Sequence, residues 1–239
     1  MILEGIKAYL EAIPPDRPGN RITGSALGKC DRQLAYKYHG FKGEPGNWKN
    51  WLVFNDGDLA HDQLRAIMVK AVPHTGWELI DVEREVQLET PQGYTIKGHI
   101  DGVLRNLDDD RRMLLEIKSM SSYAFDEDDI EASYQAQMSG YMSALGLEDA
   151  LFVSKNKDTA DLHERIYHID KELVARRLEA IDKIVSSKAP NMVERSYGAD
   201  KRGRLDWHCA YCPHWQPCWE GRASQHQGPR GGKFLMLEA

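Results

Sequence analysis

Two short runs hold the side chains best suited to chemistry. Gly98-His99-Ile100-Asp101-Gly102 carries a carboxylate, and Glu116-Ile117-Lys118 carries a second carboxylate two residues before an amine. In a strand, residues two apart share a face, so Glu116 and Lys118 project together while Ile117 projects into the opposite layer. A hairpin through Asp108 to Arg112 can bring Asp101 beside that pair. Two carboxylates then form a hard oxygen site suited to Mg²⁺ or Mn²⁺, to which the Ile117 carbonyl can add a ligand. The chemistry that fits is phosphodiester hydrolysis. A bound cation stabilises charge on the phosphate and lowers the pKa of an attacking water, and Lys118 orients that water or stabilises the developing charge. The bland alternative is a solvent-facing cross-strand pair with Asp101 shaping a turn. Leu114 and Leu115 weigh against it because they make a buried strand that delivers the pair at its end, and Gly102 allows close approach beside Asp101.

A second set is sulphur-based. Cys209-Ala210-Tyr211-Cys212 is followed by Cys218, and the remaining cysteine, Cys30, lies far upstream. Four thiolates gathered this way hold a tetrahedral Zn²⁺ or a cubane iron-sulphur cluster, and the spacing does not decide between them. His208 or His214 could replace one thiolate in a zinc site, which would leave Cys30 free. Unligated buried cysteines are the alternative. Four cysteines are too sparse for a secreted disulfide scaffold, and their uneven spacing suits ligation in a reducing compartment.

These residues need elements to position them. Asn55 to Lys70 has Leu59, Leu64, Ile67 and Met68 at helical spacing, with His61 near its start. From Trp77 the period becomes two: Val82, Arg84, Val86 and Leu88 alternate with Glu83, Glu85, Gln87 and Glu89, and Pro91-Gln92-Gly93 makes a turn. Tyr94 to Leu107 reads as a second strand and Met113 to Ser119 as a third, giving an antiparallel meander. Ile130, Tyr134, Met138, Tyr141, Met142 and Leu145 form one helical stripe closed by Gly146. Leu151 to Lys155 and Leu162 to Ile169 read as strands, and Lys171 to Ser187 as a helix. After Pro190 the chain reads as irregular. The expected class is therefore α/β, with the order helix, three-strand meander, helix, strand. Residues 1–75 are expected to form a helical N-terminal region, 76–190 the core, and 191–239 a cysteine-bearing segment folding back on the N-terminal region.

The 239 residues are 41% hydrophobic, enough for one sizeable core with appendages. No apolar run is long enough to span a bilayer, and the N-terminus lacks a secretion signal's pattern, so a soluble intracellular protein is expected. A net charge of -6 argues against a protein that coats nucleic acid by bulk electrostatics. The acids at Asp108 to Asp110 and Asp126 to Asp129 fall in apparent turns, while Lys29 and Arg32, and Lys201, Arg202 and Arg204, form local basic patches that uniting Cys30 with Cys209 would bring together as a DNA path. Tyr36, Tyr38, Trp48 and Trp51 either stack on unpaired bases or pack the helical region.

Taken in order, Gly57-Asp58-Leu59-Ala60-His61, Gly98 to Gly102, Glu116 to Lys118 and Gln137-Met138-Ser139-Gly140-Tyr141 resemble the successive motifs of RecB-like nucleases within the PD-(D/E)xK superfamily. The resemblance implies a restriction-endonuclease-like core and a Mg²⁺- or Mn²⁺-dependent DNA exonuclease acting in recombination, repair or phage replication. It implies that His61, Asp101 and Glu116 bind the metal, that Lys118 is catalytic, and that Gln137 and Tyr141 support the site or contact DNA. Tyr134 to Met142 is similar to the corresponding helix of lambda-type phage exonucleases, which favours a phage or prophage enzyme in the cytoplasm of a bacterial or infected cell. An upstream cysteine near an arginine, with three more after the core, resembles the iron-sulphur nucleases of this group, including the CRISPR adaptation nuclease and AddB. That implies a [4Fe-4S] cluster on Cys30, Cys209, Cys212 and Cys218, with structural Zn²⁺ as the alternative. The implied partner is DNA, with a recombination or single-strand-binding protein as a further possibility. An endonuclease, a CRISPR-type end-trimming enzyme and a non-catalytic DNA-binding subunit are the competing readings. Ring, dimer and monomer all remain open.

Overall fold

Asn47 starts the longest helix with a reciprocal cap: its side chain accepts from the Lys49 amide at 2.9 Å, and the Asn50 side chain accepts from the Asn47 amide at 3.2 Å. The helix therefore begins at Trp48, ahead of the Asn55 that apolar spacing marks, and runs to Thr75 before Gly76 closes it at φ 70°. The computed structural model describes residues 2–13, 20–125, 129–228 and 232–238. Part of the expected Asp126 to Asp129 turn thus lies outside the described residues. Numbered along the chain, the helices are α1 (Ile2–Ala12), α2 (Asp31–Tyr38), α3 (Trp48–Thr75), α4 (Ser122–Phe125), α5 (Ala132–Leu145), α6 (Lys171–Ser186), α7 (Trp207–Ala210) and α8 (Trp215–Trp219). The strands are β1 (Trp77–Ile80), β2 (Glu85–Glu89), β3 (Thr95–His99), β4 (Gly102–Asn106), β5 (Arg112–Met120), β6 (Asp149–Asn156), β7 (Leu162–His168), β8 (Ala223–Gln227) and β9 (Lys233–Leu237). Among the described residues no helix is long and apolar enough to cross a membrane.

Two compact units result, each assembled from three separated stretches rather than divided at residues 75 and 190. The first comprises Met1–Pro14, Thr23–Gly28 and Gly46–Leu178, and the second Pro15–Ile22, Lys29–Pro45 and Glu179–Ala239.

The first unit is α/β. Its main sheet has the order β1-β4-β5-β6-β7, with β5 central, antiparallel to β4 and parallel to β6. The meander is β1-β4-β5, and β2-β3 is a separate hairpin inserted between its first two strands. The run expected to be one strand through Val82 is interrupted because Asp81 and Glu83 both hold φ 52°, outside strand geometry. The expected second strand is likewise broken, between β3 and β4, at Ile100 and Asp101. The backbone register of β4 on β5 ends at Gly102 opposite Leu115, and Asp101 continues it with its side chain, Oδ2 accepting from the Ile117 amide at 2.7 Å.

Alternation along β5 sorts its residues into two cores. Leu114 packs with Met138, Tyr141 and Met142 of α5, whereas Leu115 and Ile117 pack with Leu64 of α3. Glu116 and Lys118 therefore lie on the α5 face. α5 also approaches the Thr23–Gly28 segment closely. A Cβ on Gly28 would lie 2.3 Å from the Ser133 Cα and 2.6 Å from its carbonyl oxygen, backbone atoms that cannot rotate away. Gly28→Ala is expected to destabilise the protein by about 2–3 kcal/mol, read by denaturant unfolding. Gly57→Ala, at a helix position with nothing within 4 Å of the new methyl group, is expected to gain up to about 1 kcal/mol.

In the second unit Leu205, Ala210, Trp215, Trp219, Ala223 and Leu235 form the core. Its chain end, expected to be irregular, is the antiparallel hairpin β8-β9. Only Ala223 and Leu235 are buried among its ten strand residues, too few to give an apolar pattern.

Candidate active site

The break between β3 and β4 places Asp101 at the edge of β5, where three elements meet. From α3, His61 Nδ1 lies 2.9 Å from Asp101 Oδ1. From β5 come Glu116 and Lys118, whose ammonium donates to Glu116 Oε1. From α5, Gln137 Nε2 donates to the same oxygen at 2.7 Å. The structure thus brings together His61, Asp101, Glu116, Ile117, Lys118 and Gln137 within one unit, from positions spread between residues 61 and 137.

The two carboxyls are driven apart in proton affinity. Burial pushes Asp101 up, but the hydrogen bond and charge of His61, the Ile117 amide and the Lys118 charge outweigh it and hold this carboxyl below its usual range. For Glu116 burial dominates, and with the Asp101 charge it overcomes Lys118 and pushes the carboxyl up. Burial would lower Lys118, yet the Glu116 charge and hydrogen bond hold its ammonium above the usual value. Opposed shifts in neighbouring acids are characteristic of catalytic pairs.

Glu116 is 1% exposed, and its second oxygen, Oε2, is buried with no hydrogen-bond partner among the described residues. A buried carboxylate oxygen left unpaired is costly, and a cation is a natural partner for it. With Asp101 alongside, the donors are hard oxygens, the set that Mg²⁺ or Mn²⁺ prefers. No group of three or more His, Cys, Asp or Glu side chains among the described residues is already drawn into metal-binding geometry.

Two expected site residues have other work. Tyr141 is 1% exposed, and its side chain fills the space left by two glycines, with its ring 2.3 Å from where a Cβ would stand on Gly24 and its hydroxyl 2.5 Å from where one would stand on Gly98. So enclosed a ring cannot reach DNA here; it sets α5 against the β2-β3 hairpin. Arg32, expected at the DNA path, is buried: its Nε donates to the Val193 carbonyl at 2.6 Å and a terminal nitrogen to that of Asn191 at 3.1 Å. It staples α2 to the 190s segment within the second unit. Lys29, Lys201, Arg202 and Arg204 are exposed in that unit. Arg204 lies 4.9 Å over the Phe234 ring.

Sequence reasoning missed two neighbours of the site. Tyr134 carries the Lys118 ammonium 5.1 Å above its ring and stands one helical turn before Gln137. Arg65 stands one turn after His61 and lies 3.7 Å from Asp101 Oδ1. Helical spacing from a motif residue was the signal available for both.

In the second unit Cys30, at the N-cap of α2, Cys209 in α7, Cys212, and Cys218 in α8 line one cavity, and none forms a disulfide. Burial, reinforced by the neighbouring sulphurs, pushes the Cys209 thiol up to about 11 and Cys212 to about 12. His214 also lines this cavity, stacked on Tyr36 with centroids 5.4 Å apart, and its Nδ1 is buried without a hydrogen-bond partner among the described residues.

A mixed sheet whose central strand presents an acid and a lysine beside a second acid at a broken neighbouring strand defines a class of phosphodiester-cleaving folds. The chain belongs to the PD-(D/E)XK nuclease superfamily, whose family model matches residues 29–219. Among solved structures, it is similar to the crystal structure of SSO0001 at 19% identity and a TM-score of 0.54, covering 90% of this chain and 94% of that one. It is also similar to LHK-Exo in complex with dAMP, at 17% identity and a TM-score of 0.50, covering 77% of this chain and 91% of that one. The alkaline exonuclease LHK-Exo from Laribacter hongkongensis gives a TM-score of 0.49 at 16% identity, over 77% of this chain and 91% of that one. Nothing among curated proteins matches.

Proposed function

We propose that this nuclease is a Mg²⁺- or Mn²⁺-dependent deoxyribonuclease that degrades DNA from an end, in recombination, repair or phage replication. The observation that carries the metal-dependent reading is the unpartnered, buried Oε2 of Glu116 beside Asp101 and Lys118. Asp101, Glu116 and the Ile117 carbonyl would hold the cation, with the ring nitrogen that His61 does not turn to Asp101. When bound, the cation supplies charge stabilisation at the phosphate and an acidified water.

The protein's own groups do the rest. Gln137 fixes Oε1 of Glu116, and the Ile117 amide fixes Oδ2 of Asp101, so each carboxylate keeps its orientation through turnover. Lys118, held protonated and set over the Tyr134 ring, would keep an ammonium at the reacting phosphate, where it orients the water or meets developing charge. Because Glu116 must be ionised to bind a cation and its proton affinity is raised, Mn²⁺ affinity should fall as pH falls, beginning above the ordinary carboxylate pKa of about 4.3. Calorimetric Mn²⁺ titrations between about pH 5 and about pH 8 check this, and a flat affinity would contradict it.

Action from an end rests on the resemblance of Tyr134 to Met142 to the corresponding helix of lambda-type phage exonucleases. End-labelled linear DNA and closed circular DNA, offered with Mn²⁺, separate the readings. Loss of the linear substrate alone supports the exonuclease, cleavage of the circle an endonuclease, and binding without cleavage a non-catalytic subunit. The four cysteines would hold a [4Fe-4S] cluster that ties α2 to the α7-α8 segment. A zinc site is the second reading, favoured by the unpartnered Nδ1 of His214 in the same cavity.

A further inference from the structure

Asp101 is approached from α3 by two basic residues one helical turn apart, His61 and Arg65, and only His61 figures in the sequence motifs. The other, Arg65, is 12% exposed and shared among three carboxylates. One terminal nitrogen donates to Asp62 Oδ1 at 2.7 Å; the other donates to Glu83 and lies 3.7 Å from Asp101 Oδ1. Glu83 reaches Arg65 from a turn in which it and Asp81 both hold φ 52°, the left-handed region that side-chain-bearing residues avoid. Such a conformation persists where its surroundings fix it, and it tends to cluster at functional sites. This turn is fixed beside Asp101, because the Arg84 carbonyl accepts from the Ile100 amide at 3.2 Å. The strained turn is therefore tied to the break that carries Asp101 by its backbone, and to the guanidinium beside Asp101 by a side chain.

We propose that Arg65 is a positioning residue of the acidic centre, braced by Glu83 so that its charge sits on the Oδ1 side of Asp101 and moderates how strongly the centre takes a divalent cation. This rests on the nuclease reading above. An arginine cannot shed its charge, so a cation entering beside Asp101 always meets that repulsion. The same contact keeps Oδ1 aimed while the cation and product exchange.

The test is Mn²⁺ binding without DNA, by calorimetry and by the electron paramagnetic resonance of free Mn²⁺, together with cleavage kinetics. Arg65→Met should bind Mn²⁺ on the order of tenfold more tightly, from loss of a like charge a few ångströms away. Its kcat should nevertheless fall on the order of tenfold, with a smaller change in KM. A merely structural arginine would give weaker Mn²⁺ binding instead. Arg65→Lys, which keeps the charge without the fork, should return Mn²⁺ affinity to within about twofold of wild type. Glu83 is half exposed, so Glu83→Gln spares the fold; it should slow cleavage and weaken Mn²⁺ binding as Arg65 turns fully to Asp101. If Arg65→Met does not fold, the other two variants decide. Unchanged or weaker Mn²⁺ binding in a folded Arg65→Met overturns the inference while a wild type that cleaves DNA leaves the nuclease reading standing. A wild type that neither binds Mn²⁺ nor cleaves overturns both.

Discussion

Lys118→Ala is expected to lower DNA cleavage about 10³-fold while leaving Mn²⁺ binding in place, whereas Asp101→Asn should lose both. The distinction follows from what each side chain touches. Lys118 contacts Glu116 only at Oε1, the oxygen that Gln137 also holds, so its removal leaves the carboxylate oriented. Glu116 tolerates the loss because burial already raises its proton affinity: in the absence of a cation it can take a proton instead of remaining an unpaired buried charge. The variant should therefore fold. Asp101 accepts from both His61 and the Ile117 amide, and a neutral carboxamide in its place would present only one oxygen to those donors and to a cation. Steady-state kinetics on linear DNA and Mn²⁺ titration of each variant check both halves. Equal loss of Mn²⁺ binding in the two variants would contradict the roles assigned.

The second large effect is expected at the cysteines. Cys212→Ser should remove most of the bound iron or zinc and lower the melting temperature on the order of 10 °C, because a structural metal contributes folding energy outright. Without a bound metal, burial raises the Cys209 thiol to about 11 and Cys212 to about 12, so both are protonated near neutral pH and a metal must displace those protons to bind. Elemental analysis and absorption spectra of anaerobically purified protein distinguish iron-sulphur from zinc, and melting with and without a chelator checks the energetic half. Protein isolated free of metal, with a melting temperature unmoved by Cys212→Ser, would contradict a ligand role.

What was legible in the sequence was local. Glu116 and Lys118 could be placed on one face by the period of a strand, and the stripe from Ile130 to Leu145 ended by Gly146 gave α5 almost to the residue. The ends of β6, β7 and α6 were likewise close, since each carries its own apolar pattern. What was illegible depends on partners distant in the chain. The break at Asp101 arises because its side chain takes the Ile117 amide, and nothing near Asp101 announces that exchange. Arg32 reads as a surface cation until Asn191 and Val193 claim it, and Tyr141 reads as a motif tyrosine until Gly24 and Gly98 enclose it. The division into units was hidden for the same reason, since the second unit joins Lys29–Pro45 to Glu179–Ala239, more than a hundred residues further on.

The most direct test of the central claim incubates wild-type protein and Lys118→Ala, both shown to be folded, with end-labelled linear DNA in Mn²⁺ and in chelator. Cleavage by the wild type in Mn²⁺ alone, with at least about a 10³-fold loss in Lys118→Ala, is the predicted result. DNA that is bound but left intact by the wild type, or cleavage that survives either the chelator or the loss of Lys118, would contradict a metal-dependent centre built on Asp101, Glu116 and Lys118.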